Sequence, residues 1–423
     1  MLKSPSFEFK PSSQSKVESS IAILVKYFIH MFLFLINSNK TVYPLSRLFK
    51  VNCTRIMYVQ NGFYIKYSFS WFVYIVSLPI LIFGALRFFF LILYPHHPYY
   101  SKILADFSHH MGKASFWFLT ACFGWASAAI ISRCLLELSN YRKNLQHWIK
   151  PLFYLENPYL SSDIKTRNAS HLTQILLAFN LVAGAICAAS IHLPIIIRSQ
   201  LEWLPLTLIL TFIAGIQGYL IASYEMNFTI LNAFYLYIYG RKFALLTENA
   251  IIFAYPTQSE CYDHLNSSLE RFTSRLTLLT QNVDKINQFM EKTISIIFVA
   301  TFIAEAICLY CMFFVHLNGS KKYIIQILGI LTILYGQLIC FISGTYAQHK
   351  FHECVAQLQY LNESKAMQKA LALRFKALVT TEYLTGRKLF RILASIDTCT
   401  MNLIKIQVEI AMLLLMIIAN AKR

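Results

Sequence analysis

The chain has 423 residues, 57% of them apolar and only 14% charged, with a mean hydropathy of +0.50. A water-soluble globular domain is nearer half apolar and a quarter charged, so this composition excludes one and points to a protein built to sit in lipid. A net charge of +18 would suggest nucleic acid if it lay along one face, but the basic residues lie in loops beside apolar spans.

Residues 1–67 form a polar and mixed N-terminal segment. Within it Ile21–Ile36 is apolar but interrupted by Lys26 and His30 and preceded by a polar stretch, so it does not read as a cleavable signal peptide. The reading is an interfacial helix on the inner leaflet, with an extra span as the alternative. A membrane helix needs about 20 mostly apolar residues, and seven segments meet that requirement. They are Ser68–Tyr94, Ala114–Leu135, Leu172–Ile197, Trp203–Tyr224, Thr293–His316, Tyr323–Tyr346 and Cys399–Asn420. The fourth is predicted to run on as helix through Tyr239, because apolar and aromatic residues continue past it.

Two stretches between spans read as amphipathic helices. Leu269, Phe272, Leu276, Leu279 and Val283 recur at helical spacing before the fifth span; Val355, Leu358, Leu361, Met367, Leu371 and Phe375 do so after the sixth. Outside the spans, 28 Lys and Arg fall on one side of the membrane and 7 on the other, and the basic side is the cytoplasmic one. The predicted fold is therefore all-α: one polytopic domain over residues 1–423, with seven transmembrane helices, a cytoplasmic N-terminus and an extracellular C-terminus. Within it, residues 1–67 are the cytoplasmic N-terminal segment, 68–346 hold helices one to six, 347–398 belong to a cytoplasmic helical anchor and 399–420 form the last helix.

Enzyme signatures are absent: no phosphate-binding Gly loop, no H-E-x-x-H and no G-x-S-x-G. No cofactor and no metal are expected. Cys308 and Cys311 have C-x-x-C spacing but sit in an apolar span, where thiols pack as small hydrophobes. His96, His97, His109 and His110 crowd the first outer loop, yet adjacent His pairs seldom present both rings to one ion. Asn318–Gly319–Ser320 is a glycosylation sequon placed very close to the bilayer.

The last span carries the most information. At 100° per residue, Thr398, Asn402, Lys405, Glu409, Met416 and Asn420 share one stripe, whereas Thr400 and Gln407 fall off it. A charged side chain at mid-bilayer costs about 3 kcal/mol or more, so the stripe must face water, a partner helix or itself, and Lys405 can pair with Glu409 one turn on. A water-lined path between subunits and a polar seam within one chain both satisfy this. Glu305, inside the fifth span, is an intramembrane carboxylate that either meets a ligand or pairs with a neighbour.

Inverted topology, short outer loops, an extended fourth helix and an amphipathic run before the last span resemble the insect odorant and gustatory receptor superfamily. The chain looks like a divergent, gustatory-receptor-like member. Family members usually carry Thr-Tyr, five residues and then Gln in the last helix; here Leu413 and Leu414 stand for the Thr-Tyr pair and Asn420 for the Gln. The resemblance implies a tetrameric, ligand-gated, non-selective cation channel in the plasma membrane, a homomer or a heteromer with related subunits. It puts the pore and gate at Ile417, Asn420, Ala421, Met416, Glu409, Lys405 and Asn402. It also implies a small molecule held among the outer halves of spans two to six, near Phe116, Trp117, Phe123, His192, Trp203, Glu305, Tyr310 and Tyr335. A taste or odour receptor is the expected function; a non-channel receptor signalling through cytoplasmic proteins and a small-molecule transporter are the alternatives.

Overall fold

The computed structural model describes residues 56–59, 62–65, 69–95, 97–106, 115–141, 163–198, 202–254, 262–315, 320–363, 371–385, 387, 389–392 and 396–421. The predicted interfacial helix Ile21–Ile36, His96, His109, His110, Met367 and the first two residues of the sequon lie outside them. The described part opens with a short antiparallel ladder of β1 (Ile56–Val59) and β2 (Gly62–Ile65) and is otherwise mostly helical. The first long helix is α1 (Phe69–Leu93), followed by the short α2 (Pro98–Ile103) and by α3 (Ser115–Tyr141). Next come α4 (Ile164–Ser190) and the short α5 (Leu193–Arg198). Helix α6 (Leu204–Ile221) passes through a π-helical turn, Ala222–Met226, directly into α7 (Asn227–Ala254). A single helix, α8 (Tyr262–Phe314), holds 53 residues. Helix α9 (Ser320–Ile333) joins α10 (Ile339–Glu363) through a second π turn, Leu334–Leu338. Helix α11 (Leu371–Leu384), a two-residue ladder of β3 (Arg391–Ile392) with β4 (Ile396–Asp397), and α12 (Thr400–Ala421) complete the chain.

Six of the described helices are long and apolar enough to cross a membrane, and this is a multi-pass arrangement. Where seven spans were predicted from sequence, α12 is not among these six. The helices carry Leu86, Phe89, Phe90, Phe179, Phe212 and Ile330 outward and exposed, a distribution a water-soluble surface rarely tolerates and lipid favours. Two predicted boundaries merge. The amphipathic run before the fifth span is continuous with it in α8, and the sixth span runs straight on into the Val355–Leu361 stretch in α10. No Pro or Gly interrupts either junction, so the helical hydrogen-bond ladder has no reason to stop.

Relative helix directions follow from who touches whom. Between α4 and the α6–α7 rod, Ala188 and Gly184 meet Gly218, Asn180 meets Ala222 and Asn227, and Asp163 meets Arg241. One partner's number rises as the other's falls, so these helices are antiparallel. The approach is close because the contact residues are small: a Cβ on Gly218 would lie 2.3 Å from the Gly184 carbonyl oxygen. Between α7 and α10, by contrast, Asn232 meets Cys340, Tyr237 stacks on Tyr346, Phe243 meets Phe351 and Thr247 meets Cys354. Both numbers rise together, so α7 and α10 run parallel. That alternation is what successive crossings of a bilayer require.

The Asp163 end of the bundle is knitted by paired groups. Asp163 caps α4, accepting from the Thr166 backbone N–H at 3.2 Å, and receives the Arg241 guanidinium through Nε at 3.0 Å and Nη2 at 3.2 Å. Burial alone would raise its pKa, but hydrogen bonds from Thr166 and Arg241 and the Arg241 charge outweigh this and hold it below the ordinary carboxylate value. Arg387 pairs with Asp284, and Lys376 lies 3.6 Å from Glu270. Around these pairs Phe243, Leu269, Phe272, Leu276, Val283, Phe351, Leu358 and Leu384 share one apolar core, so both amphipathic runs bury the expected face up to Leu361. Beyond it the face is not buried within the chain. Leu371 and Phe375 are 79% and 69% exposed, and Leu378, Val379 and Tyr383 join them on an open apolar face of α11.

Candidate functional site

At the opposite end, the end of the short α2 and the α4–α5 junction are tied to one buried cation of α1. Arg87 of α1 donates through Nε to the Leu104 carbonyl at 2.7 Å and through Nη2 to the Ala105 carbonyl at 2.9 Å. Ala105 has φ +46°, a left-handed backbone that a non-glycine residue seldom adopts, and the guanidinium holds it there. Nη2 also lies 2.7 Å from Nε2 of His192. A guanidinium only donates, so Nε2 accepts, and the imidazole proton sits on Nδ1, which donates to the Ala188 carbonyl at 3.0 Å. His192 is thereby fixed as a neutral ring of one tautomer at the end of α4.

Beneath His192 the helices line a partly open cavity of about 120 Å³. Phe88 of α1, Phe118, Cys122 and Trp125 of α3, Gly184 and Cys187 of α4, Gln217 and Gly218 of α6, and Leu328 and Thr332 of α9 are among its walls. The space exists because small residues of α4 and α6 meet on one side while Phe and Trp side chains hold the other side open. Asn180 is satisfied, donating to Asn227 Oδ1 at 2.9 Å, and Thr332 donates to the Leu328 carbonyl at 2.8 Å. Two groups are not: the Trp125 indole N–H and the Gln217 Nε2 are buried with no hydrogen-bond partner among the described residues.

Of the eight ligand-contact positions expected from sequence, only His192 lines this cavity. Phe116 is 51% exposed and turned away, because it occupies the outward side of α3. Trp117 and Phe123 are half-buried and pack on the outside of the apolar cluster that holds Phe88, Phe118 and Trp125, with Phe123 against Phe89. Trp203 stands at the start of α6 and makes no side-chain capping bond. Tyr310 is buried and stacks on Phe314, and Tyr335 is packed inside the second π turn. Sequence reasoning missed Trp125 and Gln217. The signal that could have found Gln217 is its setting, Gly215-Ile216-Gln217-Gly218, a polar residue between the glycines that bring two helices together.

Glu305 belongs to a different constellation. Gln337, in the second π turn, donates to Glu305 Oε2 at 2.6 Å, and Gln407 of α12 donates to Gln337 Oε1 at 3.0 Å. The three side chains form a chain from α8 through the π turn to the last helix. A π turn sets one residue out of α-helical phase, which is how Gln337 reaches both neighbours. The first π turn likewise buries Glu225 completely, a carboxyl group that lies just past the predicted end of the fourth span.

Helix α12 has two distinct sides. Leu403, Ile406 and Ile410 are buried against its own chain, and Gln407 points the same way. Lys405 and Glu409 are exposed on the other side with Met401, Ile404, Val408, Met412 and Met416, and Asn402 is half-exposed. Two expectations are corrected. Lys405 and Glu409 form no ion pair with each other, and Thr398 is buried against Gly344, where its hydroxyl would lie 2.2 Å from an added Cβ. The side chains of Ile417, Asn420 and Ala421 lie outside the described ones, although all three belong to the helix. Among the described residues no group of three metal-ligating side chains comes together, and His97 is used instead to cap α2.

No protein-family profile and no curated sequence matches the chain. Among solved structures it is similar to that of the insect olfactory receptor OR5 from Machilis hrabei, with a TM-score of 0.66 at 9% identity. The likeness covers 92% of this chain and 98% of that one, so the whole receptor-like fold is present.

Proposed function

We propose, from this insect odorant/gustatory receptor-like fold, that the chain is a chemosensory receptor acting as a ligand-gated, non-selective cation channel of the plasma membrane. In this reading α12 is a seventh span, the N-terminus is cytoplasmic, and several subunits, four by the resemblance, surround a pore lined by their last helices. The observation that carries it is the stripe on α12. Lys405 and Glu409 face away from their own bundle, in a helix that is otherwise apolar, and such charges are stable in a membrane only against water or a neighbouring subunit. The open apolar face of α11, at the end where the anchor lies, supports assembly through the same axis.

The ligand enters the cavity beneath His192. It biases the closed–open equilibrium to the extent that the cavity differs between the two states. The Glu305–Gln337–Gln407 chain is the connection by which rearrangement around the π turn of α9–α10 reaches the pore helix. Gate residues are Ile417, Asn420 and Ala421, with Met416, Glu409, Lys405 and Asn402 along the conduit.

Ligand-evoked current is to be recorded in cells expressing the chain alone and together with related subunits. Asn420→Asp and Glu409→Gln should shift the reversal potential under cation gradients, and Gln407→Leu should raise ligand-independent opening. Unaltered permeability in both conduit variants would remove α12 from the pore.

A further inference from the structure

The cavity beneath His192 is apolar apart from a few nitrogens and oxygens, and their state of pairing constrains what can fill it. His192 is engaged at both ring nitrogens, Asn180 and Thr332 bond within the protein, and no carboxylate or ammonium group lines the walls. An ionic guest would lose its hydration without a counter-charge, so the guest is neutral. Two groups stand apart. Trp125 and Gln217 are only 8% and 3% exposed, come from helices α3 and α6, and have nitrogen donors without an acceptor among the described residues. The Gln217 carboxamide is held in place by Gly84 of α1, whose missing Cβ would otherwise come within 1.8 Å of Nε2. A buried donor left without a partner is costly, and a pure hydrocarbon filling this space would leave both in that condition. If water reaches them in the empty cavity, a hydrocarbon displaces it without replacing its hydrogen bonds, whereas a ligand oxygen restores them.

We infer that the cavity selects small neutral molecules bearing a hydrogen-bond acceptor, of the ketone, aldehyde, ester or ether class, over hydrocarbons of the same shape. The Trp125 indole N–H and the Gln217 carboxamide meet the acceptor oxygen. This rests on the cavity being the ligand site, but not on the chain being a channel.

The test uses the full chain in lipid nanodiscs and two probes of matched shape, acetophenone and α-methylstyrene, which differ in carrying C=O or C=CH2. Apparent affinity is read from the probe-dependent rise in Tm for the wild type, Gln217→Leu and Trp125→Phe. Comparing proteins at a fixed probe cancels the unequal uptake of the two probes by lipid. Each substitution should weaken acetophenone by about five- to tenfold, the worth of one neutral hydrogen bond, and leave α-methylstyrene unchanged or tighter. Equal changes for both probes, or no change for acetophenone, would overturn the assignment while leaving the cavity a binding site. If neither probe raises the Tm of the wild type or of Gln217→Leu, the cavity is not the ligand site and the inference falls with it.

Discussion

At the Asp163 end, α4, α7, α8, α10 and α11 meet through paired charges, stacked tyrosines and a continuous apolar core; at the His192 end, α1, α3, α4, α6 and α9 stand around a cavity with unpaired donors. The first is optimised for one arrangement. Every polar group quoted there has a partner, and glycine is used to bring rings and backbones closer, as Gly240 does beneath Tyr346. The second gives up packing and hydrogen bonds, at the cavity and at the Trp125 and Gln217 donors. Close packing and open space are thus placed at opposite ends of the same helices.

Four substitutions or conditions test this division. The largest effect is expected from Asp163→Ala, which removes the bidentate carboxylate of the buried Arg241 guanidinium, leaves it, among the described carboxylates, only the exposed Glu248 at 3.9 Å and should cost about 3 kcal/mol. Thermal unfolding followed by a thiol-reactive dye would report it, because Cys122, Cys308, Cys311, Cys340 and Cys354 are free and buried. Next is Gly218→Val, which forces α4 and α6 apart at their closest contact. It should cost about 2 kcal/mol by the same measurement and also reshape the cavity wall. Gln217→Leu carries the opposite sign: removing an unpaired buried amide should stabilise the ligand-free protein by about 1 kcal/mol. A loss of stability there would mean the His192 end is packed as firmly as the Asp163 end.

The smallest effect is pH dependence. The Asp163 carboxyl has its folded-state pKa held below the unfolded value. Its contribution is complete above the ordinary carboxylate range and is lost as pH falls through the lowered pKa. The Tm of the wild type should therefore decline at acid pH by more than that of Asp163→Asn. Equal declines would place the acid-labile contact elsewhere.

Much of this architecture was legible in the sequence. The first long helix was bounded to within a residue at each end, because lipid demands a mostly apolar run and α1 supplies one, broken by Arg87, between polar flanks. The amphipathic periodicity of Leu269, Phe272, Leu276 and Val283 correctly indicated a buried face. Leu371 and Phe375 show the limit of that argument: periodicity reveals that a face is apolar, not whether its partner belongs to the same chain. The candidate site was far less legible. Being aromatic and inside the second span is a property of Phe116 and Trp125 alike, and helix rotation separates the outward-facing one from the one lining the cavity. Neither π turn is encoded by any local pattern, so the meeting of Glu305, Gln337 and Gln407 could not be anticipated from their spacing.

Helix α8, whose 53 residues at ~1.5 Å each make a rod of roughly 80 Å, passes through both ends without a break. An uninterrupted rod converts angle into displacement. Pivoted near one tip, a tilt of about 3° sweeps the other by ~4 Å, comparable to the rise of a few helical residues. A tilt too small to disturb any single packing contact at one tip is thereby magnified at the other, which gives the helix the geometry of a lever arm.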